Sequence, residues 1–316
     1  MTFTTTSPAC TAILVNYNQG ALIKGALDAA IKQTVPFDEI LIIDDGSTDN
    51  SVEIIRQCIA QVPHARLIQN PHNMGVVATA NRGVTEATSD FVYFMSADDD
   101  YSTHILEWCK PMIAAHPSIG MVCGNISVYN VDTAHERQFT LPFPPVAACY
   151  DGAAITAIAQ RRAFSFFGCN LIRREAILQQ GYQRPELKWA ADWLLYLLIG
   201  YSHPFAVVPQ YFVRIRQSGE QYSHERCIWK TQRPVVVAYI RALRTCYADH
   251  YALFRRNAVI PSYEPQALFM FLTERDMQHY LTPLLFWRLA TYQLLRAVGR
   301  LLPDKARGRI RQFFRV

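Results

Sequence analysis

The sequence predicts an α/β chain: a mainly parallel sheet with flanking helices, followed by a helical C-terminal extension. Three observations lead there. Short apolar runs alternate with segments of helical spacing through the first ~130 residues, the pattern of strands buried on both faces and joined by crossover helices. Three of these runs end in polar clusters, where a parallel sheet takes its ligands. After Arg226 the runs give way to helical spacing rich in aromatics and arginine.

The elements follow in order. TAILVNY (11–17) reads as a strand buried on both faces, and Leu22, Ala26, Ala29 and Ala30 set a helix between Gly20 and Gln33. EILIID (39–44) is a second buried strand, with Ser47 or Asp49 placed to cap a helix to about Ile59. Arg66 to Gln69 is a short strand, Gly75 to Thr88 a helix, and FVYFM (91–95) a strand that ends at Ser96-Ala97-Asp98-Asp99-Asp100. Asp100 reads as the cap of the helix that starts near Thr103, or as a solvated carboxylate. That helix runs to Ala115, and GMVCGNISVY (120–129) is a strand. The Pro- and aromatic-rich stretch from Val131 to Tyr150 reads as a surface loop. Trp193 to Val213 lacks Asp, Glu, Lys and Arg but holds Gly200, Pro204 and Pro209. It reads as a helix to about Ile199, a turn and a strand, not as a membrane span.

Composition sets outer bounds. A chain of 316 residues, 50% hydrophobic and 18% charged, buries a core without disulfide or metal staples and is not mainly disordered. The net +5 is unevenly placed. From Leu281 to Val316 eight Lys and Arg accompany Asp304 alone, a net +7, so the first 280 residues carry −2. A nucleic-acid-binding domain carries its positive face on the body, so nucleic acid is not the expected partner. No two of the eight cysteines are spaced C-x-x-C, so they read as buried thiols of a reducing compartment. Met1 to Cys10 lacks the basic patch and apolar run of a secretory leader. The expected location is cytoplasmic, with peripheral contact on the inner face of a membrane.

Asn16-Tyr17-Asn18, Asp44 to Asp49, and Asp98-Asp99-Asp100 stand at the three strand ends. None of the 14 glycines is followed by another two residues on, and G-x-x-x-x-G-K-[ST] does not occur. A phosphate held without a glycine cradle or a P-loop lysine needs another counter-charge. Adjacent carboxylates holding Mg²⁺ or Mn²⁺ supply one, since hard cations take oxygen ligands and bridge to diphosphate.

ILVNYNQG (13–20), ILIIDDGSTDNS (40–51), NMGVVATANRG (73–83), FVYFMSADD (91–99), GCNLIRREAILQQGY (168–182) and the Asp192 region resemble family 2 glycosyltransferases, which have the GT-A nucleotide-sugar-binding fold. The resemblance covers residues 11 to about 225. It implies a donor-binding part at about 11–130, an acceptor side at about 131–225, and a helical basic extension at 226–316. It implies donor binding by Asn16, Tyr17, Asn18, Asp45, Asn73, Asp98, Arg214 and Arg216, with Tyr17 against the base and Asp45 bonded to it. Asp98 and Asp99 are implied as ligands of Mn²⁺ or Mg²⁺. Gly168, Cys169, Asn170 and Trp189 would line the acceptor side. Arg214 and Arg216, with Gln217-Ser218-Gly219, resemble a segment that closes over the diphosphate. Asp192, set between tryptophans, would be the base that takes the acceptor hydroxyl proton in an inverting transfer. The expected partners are a nucleotide sugar, usually UDP-linked, and a glycan or lipid-linked saccharide of cell-surface polysaccharide synthesis.

Ser96, Ala80 and Ala191 stand where the family often has Asp, Arg and Glu. They keep open a second class, a catalytically weak nucleotide-sugar-binding or scaffold subunit. A nucleotidyltransferase would show a Gly-rich, Lys/Arg-containing loop after the first strand, and Asn16 to Gly20 is not one. In the tail, a helix from Leu281 to Leu302 gathers Arg288, Arg296 and Arg300 within about one third of its circumference. It reads either as a helix packed on the domain or as a membrane-surface anchor.

Overall fold

The computed structural model describes residues 8–217 and 229–299. It divides into two compact units. The first comprises Met1–Asp151, Phe166–Pro185 and Ile199–Gly219; the second comprises Gly152–Ser165, Glu186–Leu198 and Glu220–Val316. The second unit therefore draws two segments from within the first 225 residues.

The first unit is built on one ten-stranded sheet. In chain order its elements are β1 (Cys10–Asn16), α1 (Ile23–Ile31), β2 (Glu39–Asp44), α2 (Ser51–Ile59), β3 (Ala65–Gln69), α3 (Val76–Glu86), β4 (Phe91–Ser96), β5 (Asp100–Tyr101), α4 (Ile105–Ala115), β6 (Met121–Asn130), β7 (His135–Phe139) and β8 (Ala148–Tyr150). After α5 (Gly152–Arg161) come β9 (Leu171–Arg173), α6 (Arg174–Gln179), a 3₁₀ turn (Pro185–Ala190), α7 (Ala191–Ser202) and β10 (Phe205–Gln217). Along the sheet the order is β3-β2-β1-β4-β9-β6-β10-β5, with β7 on β6 and β8 on β10. β1 to β4 are mutually parallel, as are β6 and β10. Between those blocks the short β9 runs antiparallel to both β4 and β6.

The predicted alternation holds through β6. β1, β2 and β4 are buried almost throughout, because helices cover both sides of the sheet and every side chain of a strand meets apolar neighbours. Successive strands β1, β2 and β3 step one way and β4 falls on the other side of β1. The crevice at the carboxyl ends of β1 and β4 is therefore a topological switch point.

The stretch 131–150, expected as a loop, contains two strands. β7 pairs antiparallel with β6 from Ile126↔Phe139 to Asn130↔His135. Its turn is tied by Asn130 Oδ1, which accepts from the Thr133 N–H at 2.8 Å and the Thr133 hydroxyl at 2.7 Å. HERQF escapes an apolar-run criterion because it is an exposed edge strand. β10 is interrupted at its register shifts around Pro209, where Asn125 Nδ2 donates to the Pro209 carbonyl at 2.8 Å, the bulge that a proline inside a strand demands.

The second unit is helical: α8 (Trp229–Cys246), α9 (Ala248–Arg256), α10 (Pro265–Thr273), α11 (Arg275–Gln278) and α12 (Pro283–Gly299), with α5 and the start of α7. Val236, Tyr239, Ile240 and Leu243 form the buried stripe of α8; Phe254, Met270, Phe271, Tyr280, Leu285 and Leu289 are buried in the other helices and the turn before α12. Thr282 Oγ1 accepts the Leu285 N–H at 3.2 Å and Pro283 takes the first helical position, which sets where α12 begins.

Arg288, gathered with Arg296 and Arg300 in the tail reading, is half-buried and turned onto backbone carbonyls. Its guanidinium donates to the Asn257 carbonyl at 2.8 Å and to the Ala159 carbonyl. The side chains of Arg296 and Arg300, and Pro303 with the basic end, lie outside the described residues. Among those described, no helix is long and apolar enough to cross a membrane.

Candidate active site

The carboxyl edge of the first unit's sheet gathers most of the polar residues singled out in the sequence. Asn16 closes β1 and Asp44 closes β2, paired by register. Asn16 Nδ2 donates to Asp44 Oδ1 at 2.8 Å and to Ser47 Oγ at 3.1 Å. Asp44 in turn accepts the Ser47 N–H at 3.0 Å and the Ser47 hydroxyl at 2.6 Å. With no exposed surface, Asp44 holds the turn, as its place in an Asp-Gly-Ser segment predicts. Asn18, at φ 52°, accepts the Thr48 N–H through Oδ1 at 2.8 Å. Its own N–H donates to Ser47 Oγ at 2.9 Å. Asn16 and Asn18 thus fix the loop after β1 to the loop after β2, which leaves Tyr17 between them with its ring 42% exposed.

Asp45 is 2% exposed and is gripped from the third loop. Oδ1 accepts from Asn70 Nδ2 at 2.6 Å and from the Met74 N–H at 2.9 Å, and Oδ2 from the Gly75 N–H at 2.9 Å. Oδ2 therefore keeps a lone pair for a further donor. Gly46 makes this approach possible. Its φ is +74°, and a Cβ there would lie 2.8 Å from the His72 backbone. Asn73 Oδ1 accepts the Gly75 N–H at 2.9 Å, shaping the entry to α3. Asn70 was not singled out in the sequence. Its signal was available: β3 pairs with β2 through Gln69↔Asp44, so Asn70 is a fourth polar strand end beside Asp45.

Asp98, Asp99 and Asp100 follow β4. Asp99 Oδ1 accepts the Arg216 N–H at 3.0 Å. Burial, and then the neighbouring Asp98 charge, push its carboxyl up to about 7. Asp100 caps no helix: β5 pairs with β10 as Arg214↔Asp100, and Asp100 Oδ2 accepts from Arg214 Nε at 2.9 Å and Nη2 at 2.7 Å. Its own turn is closed instead by Tyr101, whose hydroxyl accepts the Ser96 N–H at 2.6 Å. Arg214 and Arg216, two apart on one strand, share a side of the sheet. The Arg216 guanidinium comes to 3.9 Å from Asp100, and that of Arg214 lies 5.1 Å over the Tyr129 ring. Ser218 and Gly219 lie outside the described residues.

No three His, Cys, Asp or Glu side chains group as a metal cage among the described residues. Asp98 and Asp99 nevertheless fit a hard divalent cation of the kind that keeps several waters and takes one or two carboxylates plus substrate phosphates. An adjacent buried carboxyl disfavoured by a like charge is what such a cation relieves.

Gly168, Cys169 and Asn170 lead into β9. The antiparallel register Tyr93↔Leu171 carries them toward the Ser96 end of β4, the same carboxyl edge. Cys169 holds φ 65°. Asn170 is fully buried, with Nδ2 donating to the Phe167 carbonyl at 2.7 Å and Oδ1 without a donor among the described residues.

In the second unit, Asp192 sits in the first turn of α7 and accepts the Trp193 N–H through Oδ1 at 2.8 Å. The Trp189 and Trp193 rings meet edge to face at 5.5 Å. The buried Trp189 indole N–H has no acceptor among the described residues, and Lys188 before it holds φ 47°, ψ −122°, a costly backbone state of the kind concentrated at functional sites.

The family model described as Glycosyl transferase family 2 matches residues 11–180. Over 88 residues the chain is 42% identical to the uncharacterized glycosyltransferase YibD of Escherichia coli (strain K12), covering 28% of this chain and 25% of that protein. Over 192 residues it is 25% identical to a poly-beta-1,6-N-acetyl-D-glucosamine synthase of Staphylococcus epidermidis, covering 58% of this chain and 45% of that one. The chain thus spans less than half the length of these curated relatives. Among solved structures, S. aureus TarS 1-349 in complex with UDP-GlcNAc is similar with a TM-score of 0.59 at 15% identity, over 86% of this chain and 89% of that chain. That likeness is one of fold, and it agrees with the GT-A architecture expected from the sequence.

Proposed function

The chain belongs to glycosyl transferase family 2, and from that premise we propose that it moves a sugar from a UDP-sugar, with UDP-GlcNAc the first donor to test, to a hydroxyl of a glycan or lipid-linked saccharide. The observation that carries this reading is the Asp45 cradle. A carboxylate held by Asn70, Met74 and Gly75 keeps an acceptor position, and the Asp45 N–H bonds the carbonyl of Asn16, the residue before the exposed Tyr17, which suits a base that both stacks and donates an N–H. The complexes of S. aureus TarS with UDP and UDP-GlcNAc support the same donor class, and the polysaccharide synthase relatives support a saccharide acceptor.

Residues of about 11–130 take the donor, about 131–225 the acceptor, and 226–316 form the extension. Asp98 and Asp99 hold a divalent cation, whose charge, when it is bound, offsets that of the departing diphosphate. Arg214 and Arg216 add positive charge at the same edge. Gly168 to Asn170 and Trp189 shape the acceptor side. Asp192 removes the proton from the attacking hydroxyl, and the single displacement inverts the anomeric centre. The basic end attracts the protein to the inner face of an anionic membrane.

Release of UDP from UDP-sugars with Mn²⁺ or Mg²⁺ tests the reading. Asp192→Asn lowers turnover by roughly 10²- to 10⁴-fold, the usual worth of a general base, with UDP affinity unchanged. Wild-type turnover in that variant removes Asp192 as the base. UDP binding with no turnover on any donor replaces the transferase reading with the scaffold reading, for which Ser96, Ala80 and Ala191 speak.

A further inference from the structure

α12 is apolar on both of its sides. Leu285 and Leu289 are fully buried, and Arg288 points the same way to carbonyls of its own unit. The opposite stripe, at helical spacing, is Pro283, Phe286, Trp287, Ala290 and Leu294. Its large members face solvent: Trp287 is 66% and Leu294 63% exposed. α10 packs against α12 and repeats the pattern. Its Ala267, Met270 and Phe271 are buried, while Phe269 is 71% exposed and Leu272 is also exposed. A helix that carries large apolar residues outward as well as inward is not a simple amphipathic surface helix, and two such helices in contact present more outward apolar surface than isolated exposed residues account for.

We propose that the outward stripe of α12, with Phe269 and Leu272 of α10, is a membrane-insertion face that seats the second unit in the interfacial layer of an anionic bilayer. The charge next to it selects this occupant. α12 runs directly into residues 300–316, which hold six Lys and Arg against Asp304. Cations that follow an aromatic and apolar stripe in the sequence match anionic headgroups over acyl chains. A second copy seated symmetrically on the same face brings two such +5 segments together, which opposes it. Trp and Phe are the side chains that settle at the headgroup boundary. With no described helix long and apolar enough to cross a bilayer, contact along the surface is the geometry that remains for α12. The inference rests on the peripheral placement proposed above and is independent of the transfer chemistry.

The experiment is co-sedimentation of the full chain with phosphatidylcholine vesicles, with and without phosphatidylglycerol, at low and high salt. Three proteins are compared: wild type, Phe286→Ser/Trp287→Ser/Leu294→Gln, and a variant with the Lys and Arg of 305–315 changed to Gln. UDP affinity and circular dichroism report that each is folded. The expected result is binding of the wild type to anionic vesicles, and at least a roughly tenfold loss in the apolar-face variant. Bromine on the acyl chains should quench the emission that Trp287→Phe removes. Wild-type binding by the apolar-face variant overturns the insertion face while peripheral placement stands. Absence of vesicle binding by the wild type overturns both. A stable oligomer of the wild type that the three substitutions dissolve assigns the face to a second copy instead.

Discussion

The two units bury polar groups to opposite ends. In the sheet unit they converge at an edge: Asn16, Asp44, Asp45, Asn70 and Thr79 are buried and tie three strand-end loops together. In the helical unit they turn inward onto the chain's own carbonyls. Arg288 serves Asn257 and Ala159, Tyr280 Oη donates to Val259 O at 2.7 Å, and Tyr263 Oη donates to Ala258 O. Together they hold the irregular segment before α10, where Ala258 has φ 54°. Exposed apolar residues differ in the same sense. Tyr17, Met74 and Val76 flank the Asp45 cradle in the sheet unit, while Phe269, Leu272, Phe286, Trp287 and Leu294 lie on helix faces in the other. A small planar ligand needs apolar surface at loop tips beside fixed acceptors; an extended partner needs it along helices.

The largest break in this contrast is Asp45→Ala. It strips the Met74 N–H of its acceptor, leaves Asn70 Nδ2 with Thr79 Oγ1 and the Gly75 N–H with Asn73 Oδ1, and costs about 3 kcal/mol, together with most of the affinity for UDP. Denaturant unfolding and calorimetric UDP titration measure the two losses. An Asp45→Ala protein that binds UDP like wild type breaks the assignment of the cradle. Next is Arg288→Met, which keeps the aliphatic stem but leaves carbonyls without their donor. It should cost about 2 kcal/mol with UDP affinity intact. Unchanged stability would return Arg288 to the role of a solvated cation. The smallest effect in free energy is cysteine labelling. Burial raises the Cys10 thiol to about 12 and those of Cys109 and Cys123 well above the ordinary value. The reactive thiolate forms only as pH climbs through the folded-state value, so at about pH 8 these three stay unreactive. Cys246, exposed in the helical unit, labels before them. Mass spectrometry after brief alkylation checks the order, and Cys10 labelling as fast as Cys246 contradicts the sheet core.

Most of the sheet unit was legible because its signals are local. EILIID needs burial on both faces, and Asp-Gly-Ser after it needs a turn with a carboxylate to hold it; residues 39–47 carry both demands themselves. What the chain hid was relational. Asn70 matters only because β3 lies beside β2, and Asp100 binds Arg214 only because β10 returns 114 positions later to pair with β5. A helix cap was the local reading of Asp100, and distant pairing overrode it. In the helical unit spacing misled in another way. Arg288 falls among apolar positions whichever side of α12 is inward, and arginine's fork of five N–H donors lets one side chain serve several interior carbonyls.

The short strand β9 also has a temporal meaning. It is the spacer that joins the β1–β4 block to β6, yet about 40 residues separate the end of β6 from its first residue. On a ribosome that extends the chain at about 5–20 residues per second, β6 stands with an open edge for roughly 2–8 seconds and β4 for roughly 4–15 seconds before Leu171 to Arg173 are added. Those edges are the templates on which nascent chains mispair. A substitution that delays β9 docking, such as proline at Ile172, therefore lowers yield during synthesis by more than it lowers the stability of molecules that finish folding.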